Sequence, residues 1–118
     1  MKKFKKVYIC SPYRGDVAKH CGYAIDYCRW AALEHNVMPI APHVYFSQFL
    51  NDDIPEQRQL GLLMRLKLLQ ECSEVWVFGD KLSDGMAAEI TEAMRLEKKI
   101  RFFTVADGKY AERNSKEA

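Results

Sequence analysis

Four short apolar runs alternate with three longer stretches of helical periodicity, and this alternation constrains the fold more tightly than any other feature of the chain. Lys6-Val7-Tyr8-Ile9-Cys10 is β-branched and aromatic and stops at Ser11-Pro12, so it reads as a first strand ending in a loop. From Asp16 to His35, apolar residues fall at Cys21, Ala24, Ile25, Cys28, Ala31 and Ala32, one face of an amphipathic helix with Asn36 as its stop signal. Val37 to Ala41 makes a second strand whose Pro39 limits ladder bonding. Glu56 to Cys72 is a Leu-rich helix whose leucines cover more than one stripe, broad enough to meet both the sheet and a partner. Val75 to Phe78 is an uninterrupted apolar run, as suits a central parallel strand buried on both faces. A helix from Ala87 to Lys98 and a fourth strand from Ile100 to Val105 complete the series.

Such alternation, wound by right-handed crossovers, builds a parallel sheet with helices on both faces. The expected fold is therefore a single-domain α/β sandwich, Rossmann-like or flavodoxin-like, spanning residues 1–118. Two segments stand outside the pattern. Pro42 to Pro55 is a long aromatic loop suited to a lid or a partner surface, and Asp107 to Ala118 reads as a polar tail.

Composition narrows the function. With 118 residues, 48% of them hydrophobic, the chain can bury one core. Charge is nearly balanced, 18 Lys and Arg against 16 Asp and Glu, and Lys2, Lys3, Lys5 and Lys6 form a solvated leader, so no nucleic-acid partner is expected. Cys10, Cys21, Cys28 and Cys72 lie in apolar patterns without metal-site spacing and read as small buried hydrophobes. No stretch approaches the length of a membrane span, and no signal-peptide pattern is seen, so a reducing cytoplasmic setting and no membrane partner are expected. Gly79 and Gly85 make no dinucleotide fingerprint and there is no P-loop run, so dinucleotide and ATP-hydrolysis readings are weak; no ligands stand at recognised metal spacing, so no metal or other cofactor is expected.

The chemistry-bearing residues lie on two loops. In an open α/β sheet, the loops leaving adjacent strands at a topological switch point share one crevice. The first loop offers Ser11, Tyr13, Arg14 and Gly15, with Tyr8 on the strand beneath; the third-strand loop offers Ser83, Gly85 and Glu89 at a helix start. Arg14 supplies forked donors for a phosphate, and Ser11, Ser83 and the Gly85 amide add anion contacts. Glu89 would then face a sugar, either as a nucleophile forming a glycosyl ester or as a stabiliser of an oxocarbenium-like centre, with Tyr8 holding it by a hydrogen bond. His43 and Tyr45 would line a base pocket. Each has a plainer reading: Glu89 meets the helix dipole, Arg14 pairs with Asp16, Ser83 caps a helix and His43 is structural, while Trp30 and Trp76 serve packing.

Tyr8-Ile9-Cys10-Ser11-Pro12-Tyr13-Arg14-Gly15, taken with Ser83-Asp84-Gly85-Met86-Ala87-Ala88-Glu89, resembles the nucleoside 2-deoxyribosyltransferase superfamily, in particular the small members related to the 2'-deoxynucleoside 5'-phosphate N-hydrolases. The resemblance spans most of residues 7–105. It implies an N-glycosidase or deoxyribosyltransferase acting on a nucleoside or nucleotide without a cofactor: Glu89 attacks C1', Tyr8 supports it, Arg14 and Ser83 take the 5'-phosphate, and Gly85 gives an amide. It also implies a homodimer or higher homo-oligomer, because family sites are closed by a neighbouring subunit. Three departures stand out. Pro12 replaces a phosphate-binding Ser, Arg65 and Lys67 lie where the family keeps a sugar-binding Asp, and Ser83 occupies the place of an Asp in the transferases. The missing acid favours an alternative, a nucleotide-sensing module of the same fold that does not cleave its ligand.

Overall fold

A computed structural model describes residues 3–113; the beginning of the leader, including Lys2, and the end of the tail, residues 114–118, lie outside the described residues. In chain order the elements are β1 (Lys6–Cys10), α1 (Val17–His35), β2 (Met38–Ile40), α2 (Pro42–Phe46), α3 (Pro55–Gln70), β3 (Glu74–Phe78), α4 (Asp84–Arg95), β4 (Lys99–Ala106) and β5 (Lys109–Arg113). The sheet order is β2-β1-β3-β4-β5. The first four strands are parallel, with Tyr8 opposite Val75 and Val75 opposite Ile100, so β1 and β3 lie side by side at the switch point.

Local chemistry sets the boundaries. The Asp16 carboxylate accepts the Lys19 amide at the start of α1, and Asn36 closes that helix in the left-handed conformation at φ 59°. Ser83 Oγ accepts the Met86 amide at 3.2 Å and caps α4. Pro55 occupies the first turn of α3, where its missing N–H costs nothing.

Alternate residues of the buried strands feed two cores. Tyr8, Cys10, Val75, Val77 and Phe102 pack against Leu69 and Cys72 on the α3 side and Met86 and Ala93 of α4. Val7, Ile9, Trp76, Phe78 and Phe103 pack on the other face against Tyr27 and Ala31 of α1. Trp30 joins this second layer, stacked on Tyr110 at 4.2 Å between ring centroids. Helices thus cover both faces, as the alternation of runs requires.

Three expectations change. The tail is not featureless: Lys109–Arg113 pairs antiparallel with β4 as β5, so the parallel sheet ends on an antiparallel edge. Asp107 (φ 52°) and Gly108 (φ 74°) form the tight turn between them; both central residues sit at positive φ, the geometry that favours Asp-Gly in a two-residue hairpin. The aromatic loop is not wholly irregular either, since Pro42–Phe46 forms the short helix α2. Cys21 and Cys28 are only partly buried, unlike Cys10 and Cys72, and all four thiols are free.

Candidate functional site

Adjacency of β1 and β3 brings their carboxyl-end loops together over a cleft of about 770 Å³. Ser11, Tyr13, Arg14 and Gly15 line it from the first loop, Ser83, Asp84 and Gly85 from the third, and α3 contributes Arg58, Gln59, Leu62 and Arg65 along one face. His43, Asp52 and Asp53 close the remaining wall from the segment after β2. Glu89 is the carboxylate of the floor, only 4% exposed.

Three side chains surround that carboxylate. The Tyr8 hydroxyl, fully buried on β1, donates to Glu89 Oε2 in a short hydrogen bond. Arg65 Nε donates to the same oxygen at 3.3 Å, and the Arg65 side chain is itself only 13% exposed. Cys10 lies beside the pair, its Sγ 3.9 Å from the Met86 carbonyl. Burial raises the Glu89 carboxyl above its ordinary range, and the Tyr8 hydroxyl, the Arg65 charge and the Cys10 thiol each pull it back. Tyr8 and Cys10 are both held well above their usual values, chiefly by burial and then by the Glu89 charge, so each stays a neutral donor at physiological pH.

The other residues singled out by sequence take varied places. Ser11 is buried with its hydroxyl 3.3 Å from His43 Nε2. His43 is pushed down to about 4 by burial and then by the Arg65 and His20 charges, so its ring is neutral at pH 7. Arg14 is 54% exposed and pairs with Asp52 at 3.2 Å, not with Asp16, whose carboxylate is committed to capping α1. Gly15 holds φ +92°, which lets the chain turn from the first loop into α1. Gly85 opens α4, where the first amides of a helix have no intrahelical acceptor.

Tyr45 does not line the cleft. It is 63% exposed on the outer side of α2, its ring 5.2 Å from Phe49 and 5.7 Å from Phe46, because the short helix turns His43 inward and Tyr45 outward. The ring that meets His43 from the first loop is instead Tyr13, edge-on at 5.4 Å.

Arg65, which the sequence leaves as either a phosphate contact or a solvent-facing residue, lies instead against Glu89. Its guanidinium sits between two glycines: a Cβ on Gly61 would lie 3.5 Å from Nη1, and one on Gly85 3.7 Å from Nη2. The available signal was a Gly four residues before an Arg on an otherwise Leu-rich helix. Among the described residues, no group of three or more metal-ligating side chains gathers, and no helix is long and apolar enough to cross a membrane.

The fold places the chain in a recognisable structural class. It superposes on a 2-deoxyribosyltransferase from the psychrotolerant bacterium Bacillus psychrosaccharolyticus with a TM-score of 0.62 and 18% identity, over 84% of this chain and 72% of that one. The architecture is therefore a deoxyribosyltransferase-like α/β fold. Residues 5–103 match the family model described as a domain of unknown function, DUF7768, and the chain belongs to that family. No curated protein is similar in sequence.

Proposed function

We propose that the protein cleaves or exchanges the base of a nucleoside 5'-monophosphate, deoxyribose or ribose, through a glycosyl ester on Glu89. The observation that carries this reading is the Glu89 carboxylate on the cleft floor with two of its donors, Tyr8 and Arg65, on Oε2. Oε1 receives neither bond and is the oxygen assigned to C1'.

In the first step Oε1 bonds to C1' while the bond from C1' to the base nitrogen breaks, its electron pair leaving with the base, which takes up a proton from water. In the second step a water or a second base attacks C1', releases the carboxylate and yields sugar phosphate or a new nucleotide. Either attacker, water through its O–H or a second base through its N–H, gives up one proton to solvent, which replaces the one taken by the leaving base, so the two steps balance. Arg14, Ser11, Ser83 and the Gly85 amide are assigned to the 5'-phosphate, with the opening of α4 favouring an anion. Gly15 shapes that turn, and the neutral His43 is assigned to the base side. The reaction as written needs no cofactor. Exposed Leu60 and Leu63 of α3, with Phe49 nearby in sequence, supply an apolar face for a second copy of the chain, a proposal that sedimentation of the purified protein checks directly.

The test is incubation with individual nucleoside and deoxynucleoside 5'-monophosphates followed by chromatographic detection of free base. Wild-type protein is expected to release base and Glu89→Gln to lose at least about a hundredfold of that rate. Undiminished release by Glu89→Gln overturns the assignment. The buried ion pair between Arg65 and Glu89 favours one second reading, a nucleotide sensor, because a carboxylate held by a guanidinium is a weaker nucleophile. Thermal stabilisation by a monophosphate with no base released on long incubation is the result that selects it.

A further inference from the structure

Resting on the reading of Glu89 as the reactive carboxylate, we infer that Arg65 is a positioning residue that favours the charged form of this carboxylate and fixes which oxygen faces the ligand. A carboxylate 4% exposed loses most of its hydration, and desolvation favours its neutral form. A neutral carboxylic acid cannot attack C1'. A partner must favour the charged form; Arg14 and Arg58 also line the cleft, against Asp52 and Asp53, and the groups around the carboxylate itself are these. From β1 come the Tyr8 hydroxyl and the Cys10 thiol, both neutral donors. From α2 comes His43, whose ring is uncharged at pH 7. On its own helix Asp84 adds negative charge at the cleft, and Arg65 of α3 is the cation that touches the carboxylate.

The packing around Arg65 suits that task. Nε meets Oε2 at 3.3 Å, while Nη1 and Nη2 lie against the positions where Gly61 and Gly85 lack a side chain. A methyl at either glycine would already be in van der Waals contact with the guanidinium, and anything longer would compete for its slot. One slot on α3 and one at the opening of α4 therefore fix the cation against Glu89, and Tyr8 approaches the same oxygen from the sheet. With Tyr8 and Arg65 both on Oε2, Oε1 is the oxygen that receives neither of these bonds. Direction of the pair matters as much as its charge, because a lysine ammonium is a point charge without the fork.

The experiment follows the Glu89 side-chain carboxyl by carbon NMR in the full chain, its signal assigned from the spectrum of Glu89→Gln, across a pH titration of wild type, Arg65→Met and Arg65→Lys. In Arg65→Met, the ratio of charged to neutral Glu89 at a fixed pH near the midpoint is expected to fall about tenfold or more, the size of effect an adjacent opposite charge exerts. Arg65→Lys is expected to restore part of it. Identical titrations in wild type and Arg65→Met overturn the inference. If Arg65→Met does not fold by circular dichroism, Arg65→Gln makes the same comparison with the charge removed and an amide donor kept. Base release adds a second readout: the acidic limb of the kcat/KM profile moves to higher pH in Arg65→Met by the same amount as the carboxyl titration. Should wild type release no base, the catalytic reading fails, and the carboxyl titration still decides the role of Arg65.

Discussion

Removing one oxygen from the floor of the cleft tests how Glu89 is held. In Tyr8→Phe the ring remains packed between Val75, Leu69 and the α4 face, and the only loss is the hydroxyl that donates to Glu89 Oε2. A hydrogen bond to a buried charged group contributes about 1.5–3 kcal/mol, against about 0.5–1.5 kcal/mol for a neutral pair. Glu89 is only 4% exposed, so little discount for solvent screening applies. With Glu89 in its charged form the expected destabilisation is therefore about 1.5–3 kcal/mol, which for a domain of this size lowers Tm by roughly 5–15 °C.

The dependence on pH carries the sharper information. Burial raises the Glu89 carboxyl in the folded protein above its value in the unfolded chain, so its contribution favours folding at low pH and is lost as pH rises through the folded value. Tyr8 opposes this shift, and without it the folded carboxyl titrates still higher and the cost of charging it grows. At pH 4 the carboxyl of folded wild type is mainly neutral, and Tyr8→Phe is expected to cost only the neutral-pair figure. Urea unfolding followed by circular dichroism at pH 4 and pH 7, on both proteins, measures the two differences. A destabilisation of equal size at the two pH values would refute the reasoning, because the hydroxyl would then not be serving a charge.

Lys5→Met removes the ammonium that bonds Glu74 Oε2 at 2.7 Å and, because the Lys5 side chain is half-exposed and the pair screened by solvent, is expected to cost about 0.5–1 kcal/mol at pH 7. Although burial pushes the Glu74 carboxyl up, bonds from Lys5 and Trp76 hold it below its ordinary value, so this stability is present above the unfolded value and fades as pH falls through the folded one; melts from pH 7 down to pH 3 should show the variant converging on wild type. Gly79→Ala places a side chain at φ +110°, where L residues are strained, and is expected to lower stability by about 1–3 kcal/mol in urea titrations although the nearest atom, Pro12 Cδ, is 3.9 Å from the new Cβ. Arg14→Met is expected to raise KM for a nucleoside 5'-monophosphate at least about tenfold while leaving the matching nucleoside unchanged, since the guanidinium is assigned to the phosphate alone; equal effects on both substrates would remove that assignment.

The sheet was legible because its buried strands are uninterrupted apolar runs: Val75-Trp76-Val77-Phe78 serves a core on each face and has no polar residue to confuse its period. β5 escaped because Lys109-Tyr110-Ala111-Glu112-Arg113 is an edge strand with charges at three of five positions, and an edge needs only one paired side. Its signal was the Asp107-Gly108 pair, which specifies a tight hairpin whatever the polarity of the flanks. In the site, the meeting of Glu89 with Tyr8 followed from strand adjacency alone. The Arg65 contact did not, because it depends on how α3 lies against α4 and on two glycines 24 positions apart in the chain. Asp52 likewise reaches Arg14 only through the path of the segment after α2, so the nearer Asp16 is the partner a linear reading selects.

A glycosyl ester on Glu89 is the claim on which the mechanism stands, and it has a mass. Wild-type protein mixed with a reactive nucleoside 5'-monophosphate, quenched in acid during turnover and digested, is expected to yield the peptide containing Glu89 heavier by the nucleotide less its base, and Glu89→Gln to yield none. Base release by wild type with that peptide unmodified at every quench time, or the added mass on a different residue, would contradict the account.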